Sequence, residues 1–195
     1  MNSGPFDSRA IANEIVAIAR DLGFAVTPLS LQKILYFCHG SFLLSRRRPL
    51  VSGYFEAWKN GPVHPVVYNA FKKFGAQPIL TPVTALDFAS GEQRALPRVE
   101  DSEVRGHLTS LVAFYATLPA GTLVEISHVR NGPWWQALNK TGKSAKFGVR
   151  ITDDLIREWF RYHNAFALNH SVPEIVDEET PSSSYGFGSD RSAFS

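Results

Sequence analysis

The sequence predicts a mainly α protein with a small β-hairpin, an α+β fold built as a single compact multi-helix domain. Three observations carry this prediction. Apolar residues recur at helical spacing in separate segments along the chain. Capping residues, prolines and glycines stand at the ends of those segments. One stretch instead reads as two β runs around Ser90-Gly91.

Asp7 caps a first helix whose Ile11, Ile15, Ile18 and Leu22 share one face, with Gly23 as its stop. Thr27-Pro28 is a second start, an N-cap followed by proline at the first helical position. Leu31, Ile34, Leu35, Cys38 and Phe42 line one face of that helix. Arg46-Arg47-Arg48 close it at the negative end of its dipole, and Pro49 ends it. Tyr54 to Trp58 reads as a short strand or extended link, and Asn60-Gly61-Pro62 as a turn. Pro65 opens a third helix with Val67, Ala70, Phe71 and Phe74, stopped by Gly75. Ile79 to Phe88 and Arg94 to Val99 form the hairpin. Val104, Leu108, Leu111, Tyr115 and Leu118 mark a long amphipathic helix that starts near Asp101 or Ser102 and ends at Pro119. Thr122 to Val129 is a short helix, and Pro133 begins another with Trp134, Trp135 and Leu138. Thr141 to Gly148 is a basic loop. Thr152 caps a last helix lined by Leu155, Ile156, Trp159, Phe160 and His163. The domain covers 1–170. From Ser171 the chain is acidic, then Ser-, Pro- and Gly-rich; that composition cannot offset its ordering entropy, so 171–195 reads as a disordered tail.

Composition narrows the function. At 195 residues, 44% apolar and 19% charged, the chain fits one globular domain that needs no metal or disulfide. Its one cysteine, Cys38, cannot make an internal disulfide, and Met1 to Pro5 lack a signal peptide's basic and apolar regions. No apolar run approaches the roughly 20 residues that span a bilayer. These features predict a cytoplasmic protein with no membrane partner. A net charge of +2 argues against a chain built to neutralise phosphates. Arg46 to Arg48 read as a helix end, and the Lys140, Lys143, Lys146, Arg150 run as a solvated loop, so nucleic acid is an unlikely partner.

The residues form no recognisable catalytic or metal-binding motif. His39, His64, His107, His128, His163 and His170 form no H-E-x-x-H pattern, and no second cysteine supports a zinc site. Thr141-Gly142-Lys143-Ser144 lacks a phosphate loop's earlier glycine, since Ala137 stands there, and no strand precedes it. No G-x-S-x-G elbow is present. Cys38 sits on an apolar stripe as a small hydrophobe. No catalytic residue, metal or cofactor is assigned, and the chain is read as a binding protein, not an enzyme.

The segment Thr27-Pro28-Leu29-Ser30-Leu31-Gln32-Lys33-Ile34-Leu35-Tyr36-Phe37-Cys38-His39-Gly40 resembles the opening of the Panacea, or SocA-like antitoxin, domain. The resemblance continues through Phe55-Glu56-Ala57-Trp58-Lys59-Asn60-Gly61-Pro62-Val63, Pro65-Val66-Val67-Tyr68, and Ile126-Ser127-His128 with Pro133-Trp134. It extends over roughly Ala10 to Phe166. It implies an antitoxin of a bacterial or prophage toxin–antitoxin system, phage-associated in some members, neutralising a cognate toxin by direct binding. The toxin is expected from the adjacent gene. The alternatives are an adaptor delivering the toxin to a cytosolic protease, or an enzyme or nucleic-acid regulator of unrecognised type; a homo-oligomer stays open.

The motif residues also have readings of their own. Leu31 and Leu35 are core by spacing. Gln32, Lys33 and Tyr36 lie off that stripe, where they either face a partner or hydrogen-bond the Trp58–Val63 segment. Gly61, Pro62 and Val63 set how Trp58 docks. Trp58, Tyr68, Pro133 and Trp134 are structural, while Trp135, with no stripe to join, is the better partner contact. His128 is expected to be oriented by a backbone carbonyl near Gly61.

Overall fold

Asp7, Thr27, Asp101 and Thr152 are residue types that satisfy the orphan N–H groups of a helix start, and in a computed structural model each of them does so. The structure describes residues 5–87, 89–141 and 148–163. Asp7 accepts from Arg9 N ahead of α1 (Ser8–Asp21). Thr27 and Ser30 exchange side-chain and backbone bonds at the start of α2 (Pro28–Arg46). Asp101 accepts from Glu103 and Val104 N ahead of α4 (Ser102–Tyr115). Thr152 accepts from Leu155 N ahead of α7 (Asp153–Trp159). The other helices are α3 (Pro65–Phe71), prolonged by a 3-10 turn at Lys72–Phe74, α5 (Ala120–Ser127) and α6 (Pro133–Thr141). The helices with a small antiparallel part make the chain mainly α, as its periodicity predicts. No single helix among the described residues is long and apolar enough to cross a membrane.

Two small sheets complete the fold. The predicted hairpin is β3 (Thr84–Leu86) against β4 (Gln93–Ala95), shorter than the runs that announce it. The Asn13 carboxamide on α1 holds its entry, donating to Val83 O at 2.8 Å and accepting from Val83 N at 2.9 Å. The second sheet has the order β2-β1-β5, with β1 at Phe55–Trp58, β2 at Gly61–Val63 and β5 at Arg150–Ile151. The expected turn at Asn60-Gly61-Pro62 is therefore displaced: Lys59 and Asn60 turn the chain, and Gly61 pairs with Trp58. A three-residue strand containing Gly-Pro carries no alternation to read, and proline is tolerated because β2 is an edge. A two-residue strand such as β5 carries still less pattern.

Helix α2 is the centre. It packs on α1, α3, α4, α5, α7 and β2. Its residues from Ser30 to Gly40 are all buried, so the one-sided stripe read from the sequence is a stripe with no solvent side. Phe37 stacks on Tyr115 of α4 at 4.6 Å, and Tyr36 meets Phe55 and Phe160 edge-on. In α4 the inner face runs through Val104, Leu108, Val112 and Tyr115, with Leu111 half-buried beside it. Histidines tie the outer helices to α2. His39 Nδ1 accepts from Val51 N, leaving Nε2 to donate to Asp153 Oδ1 at 3.2 Å at the start of α7, and His107 Nε2 donates to Cys38 O at 3.0 Å. Arg46 closes α2 on Glu103 of α4 at 2.6 Å. The tail from Ser171, His170 and the basic-loop positions 142–147 lie outside the described residues.

Gly40 sits where α7 crosses α2. A Cβ there would strike the Phe160 ring, an immobile neighbour on a buried face. Gly106 lies exposed in α4 with open space around it. Gly40→Ala should lower the unfolding free energy by about 1–3 kcal/mol, overpacking outweighing the gain in helix propensity. Gly106→Ala should raise it by about 0.5–1 kcal/mol. Urea titrations of both variants check the pair, and a stabilising Gly40→Ala would refute the close crossing.

Candidate functional site

The motif residues meet around the β1–β2 turn. Trp58 stands ahead of it and Pro62 behind it, and each has a carbonyl that accepts from a side chain of another element. Lys33 Nζ on α2 donates to Pro62 O at 2.9 Å, and Trp134 Nε1 on α6 donates to Trp58 O at 2.9 Å. Gln32 Oε1 accepts from His64 N at 2.8 Å, where the chain leaves β2 for α3. Gly61 has φ +92°, a conformation that L side chains rarely adopt, and a Cβ would collide with Ser127 Oγ and press on Lys33 Nζ at 3.0 Å. The turn is thus clamped between α2, the end of α5 and the start of α6.

Of the two readings of Gln32, Lys33 and Tyr36, the structure carries the inward one. All three are buried, and Gln32 and Lys33 bond the hairpin and its exit. Their assignment as surface contacts for a partner is corrected: α2 is covered on every side, and their polar atoms are used or enclosed within the protein. Leu31, Leu35 and Val63 are buried, and so are Gly61, Pro62 and Pro133. The orientation of His128 is also corrected. No hydrogen bond joins it to a carbonyl near Gly61. Its ring stacks on Trp134 at 3.9 Å, and the neighbouring Ser127 is the residue that approaches Gly61.

Burial sets the electrostatics of the clamp. It pushes Lys33 down to about 7, so the ammonium is readily neutralised there. His128 falls to about 4, through burial first and the nearby Lys33 second. Burial also holds His163 at about 4 and drives Tyr36 and Cys38 upward. A thiol pushed up in this way is the inert cysteine that its place on an apolar stripe implies.

The outer side of the clamp is aromatic. Trp58 and Tyr68 of α3 meet edge-on at 4.7 Å, and Trp58 Nε1 donates to Glu56 Oε2 at 2.7 Å. Glu56 was not singled out from the sequence, yet it also receives Gly148 N, joining β1 to the strand beside it. Its signal was present: Glu56 and Trp58 are two apart on a strand and share a face. Tyr68, read as structural, is 39% exposed, and Val66 49%. Trp135 is half-buried and, unlike Trp134, does not pack against the main apolar cluster. The site thus has an inner part spent on holding a turn and an outer part of half-open rings.

The chain matches the family described as antitoxin SocA-like, Panacea domain, over residues 31–135. It is 37% identical over 180 residues to the curated protein "Antitoxin SocA" of Caulobacter vibrioides, covering 90% of this chain and 94% of the relative. No solved structure matches.

The buried bases give the fold a defined pH response. Between about 4, the folded value of His128 and His163, and 6.5, the ordinary one, the unfolded chain binds more protons. Stability should fall as the pH is lowered through that window. Lys33 acts in the same sense higher up, at about 7 folded against 10.5 unfolded, so stability should rise as the pH climbs above about 7. Urea midpoints taken from about pH 7 to about pH 8, where unfolded tyrosine and cysteine are still mostly protonated, should climb in the wild type and stay nearly flat in Lys33→Met. An equal climb in both would remove Lys33 from this role.

Proposed function

This chain belongs to the antitoxin SocA-like Panacea family, and from that membership we propose that it neutralises a cognate toxin by direct protein–protein binding. The observation that supports this reading is the outer side of the clamp. The half-buried Trp58 ring stands beside a turn held from behind by Lys33 and Trp134, and it meets the exposed Tyr68 ring of α3. Large rings held rigid lose little entropy on contact, which is why Trp and Tyr dominate binding hot spots. A turn fixed by buried hydrogen bonds presents them preformed. The partner in this reading is the product of the adjacent gene, bound stoichiometrically, with no cofactor and no reaction.

Co-expression tests it. The neighbouring gene alone should arrest growth, and this chain should relieve the arrest and co-purify with its product. Relief with a falling level of that product, restored when cytosolic proteases are deleted, would favour an adaptor instead. In the purified complex, Trp135→Ala should weaken binding about tenfold or more while leaving the melting temperature nearly unchanged. Unaltered affinity would take Trp135 out of the interface.

A further inference from the structure

Charge is distributed unevenly along the aromatic face. Between Glu56 and Asp87 the chain has no acidic residue, and it has three lysines, Lys59, Lys72 and Lys73. All three are exposed, and among the described residues none is in an ion pair. The fold gathers them. Lys59 lies in the β1–β2 turn next to Trp58, whose ring meets Tyr68 at 4.7 Å. Lys72 follows Tyr68 by four residues, one helical turn on the same side, and its Nζ reaches Asn69 Oδ1 at 3.1 Å. Lys73 stands one residue on, its Nζ 5.2 Å from the Phe74 ring centre. Val66 and Tyr68, on the same helix, are exposed as well.

We infer that the face formed by the Lys59–Asn60 turn and the outer side of α3 receives an acidic segment of the partner protein, with apolar side chains set between its carboxylates. This deepens the proposed function and rests on it. The complementarity is twofold: three exposed ammonium groups that are in no ion pair among the described residues, beside a Glu56 carboxylate already held by the Trp58 indole, and exposed aliphatic and aromatic side chains on the same helix. A polynucleotide fits less well. Tyr68 already meets Trp58 edge-on, Val66 offers no stacking face, the stretch has no arginine, and the whole chain is near neutral.

The test is affinity measured on the full chain with the purified product of the adjacent gene. Lys59→Glu, Lys72→Glu and Lys73→Glu combined should weaken binding on the order of 30-fold, with an unchanged circular dichroism spectrum and melting temperature. Arg20→Glu with Arg98→Glu, exposed cations elsewhere on the protein, should change it less than about twofold. Raising salt from roughly 50 to roughly 300 mM should weaken the wild-type complex and leave the lysine variant's residual binding nearly unaffected. A lysine variant that binds as tightly as wild type, while wild type does bind, overturns the inference and leaves the proposed function standing. A wild-type chain that does not bind the product removes both. Three further results place another occupant on the face and overturn the inference: a wild-type dimer that the lysine reversal makes monomeric, a single-stranded oligonucleotide that competes with the partner, or a large gain in affinity on removing residues 171–195.

Discussion

The polar side chains of a helix with solvent on no side can find partners only inside the protein. That is the condition α2 imposes, because the stretch from Ser30 to Gly40 is buried all round. Leaving a donor or acceptor unpaired there costs about 1–3 kcal/mol, so the polar residues of α2 dictate where neighbouring backbone must lie. Lys33 fixes Pro62 O, Gln32 fixes His64 N, and His39 bridges Val51 N and Asp153. The helix specifies its surroundings through these bonds as much as through the apolar area it buries.

The consequences run outward from the turn that Lys33 holds. With Pro62 fixed, Gly61 must take its left-handed conformation against Ser127, and Trp58 O is presented to the Trp134 indole. Trp134 in turn stacks on His128, which locks the junction of α5 and α6. A compact set of hydrogen bonds thus couples elements distant in sequence, and the rings on the far side inherit that rigidity. At this turn Gln32 and Lys33 lie buried, while Trp58 is half-buried and Tyr68 exposed. Burial lowers Lys33 to about 7 and the neighbouring His128 to about 4, so the charge at the turn is readily given up.

Much of this was legible in the order of residues. Asp7, Thr27, Asp101 and Thr152 cap helices through bonds that span two or three positions, and such bonds depend on little beyond the local chain. The strand signals around Ser90-Gly91 are equally local, and so is Pro65 at the start of α3. A bond from Gln32 and Lys33 to the Trp58–Val63 segment is one of the two readings those residues allow from sequence. What was not legible is how many sides of a helix are covered. A stripe of Leu31, Ile34, Leu35, Cys38 and Phe42 looks the same whether or not solvent lies opposite it, so Gln32, Lys33 and Tyr36 appeared free to face outward.

The sequence by itself therefore determined the helices, most of their starts, the mainly α class and the family, since these follow from short-range bonds, periodicity and motif spacing. Only the tertiary structure decided the direction of the motif's polar side chains, the existence of β2 and β5, and the exposure of Tyr68. Each of these depends on residues far apart in the chain: Lys33 meeting Pro62, Phe55 meeting Ile151, and α3 leaving one side uncovered. Burial is a property of what arrives from elsewhere in the chain, and no local pattern encodes it.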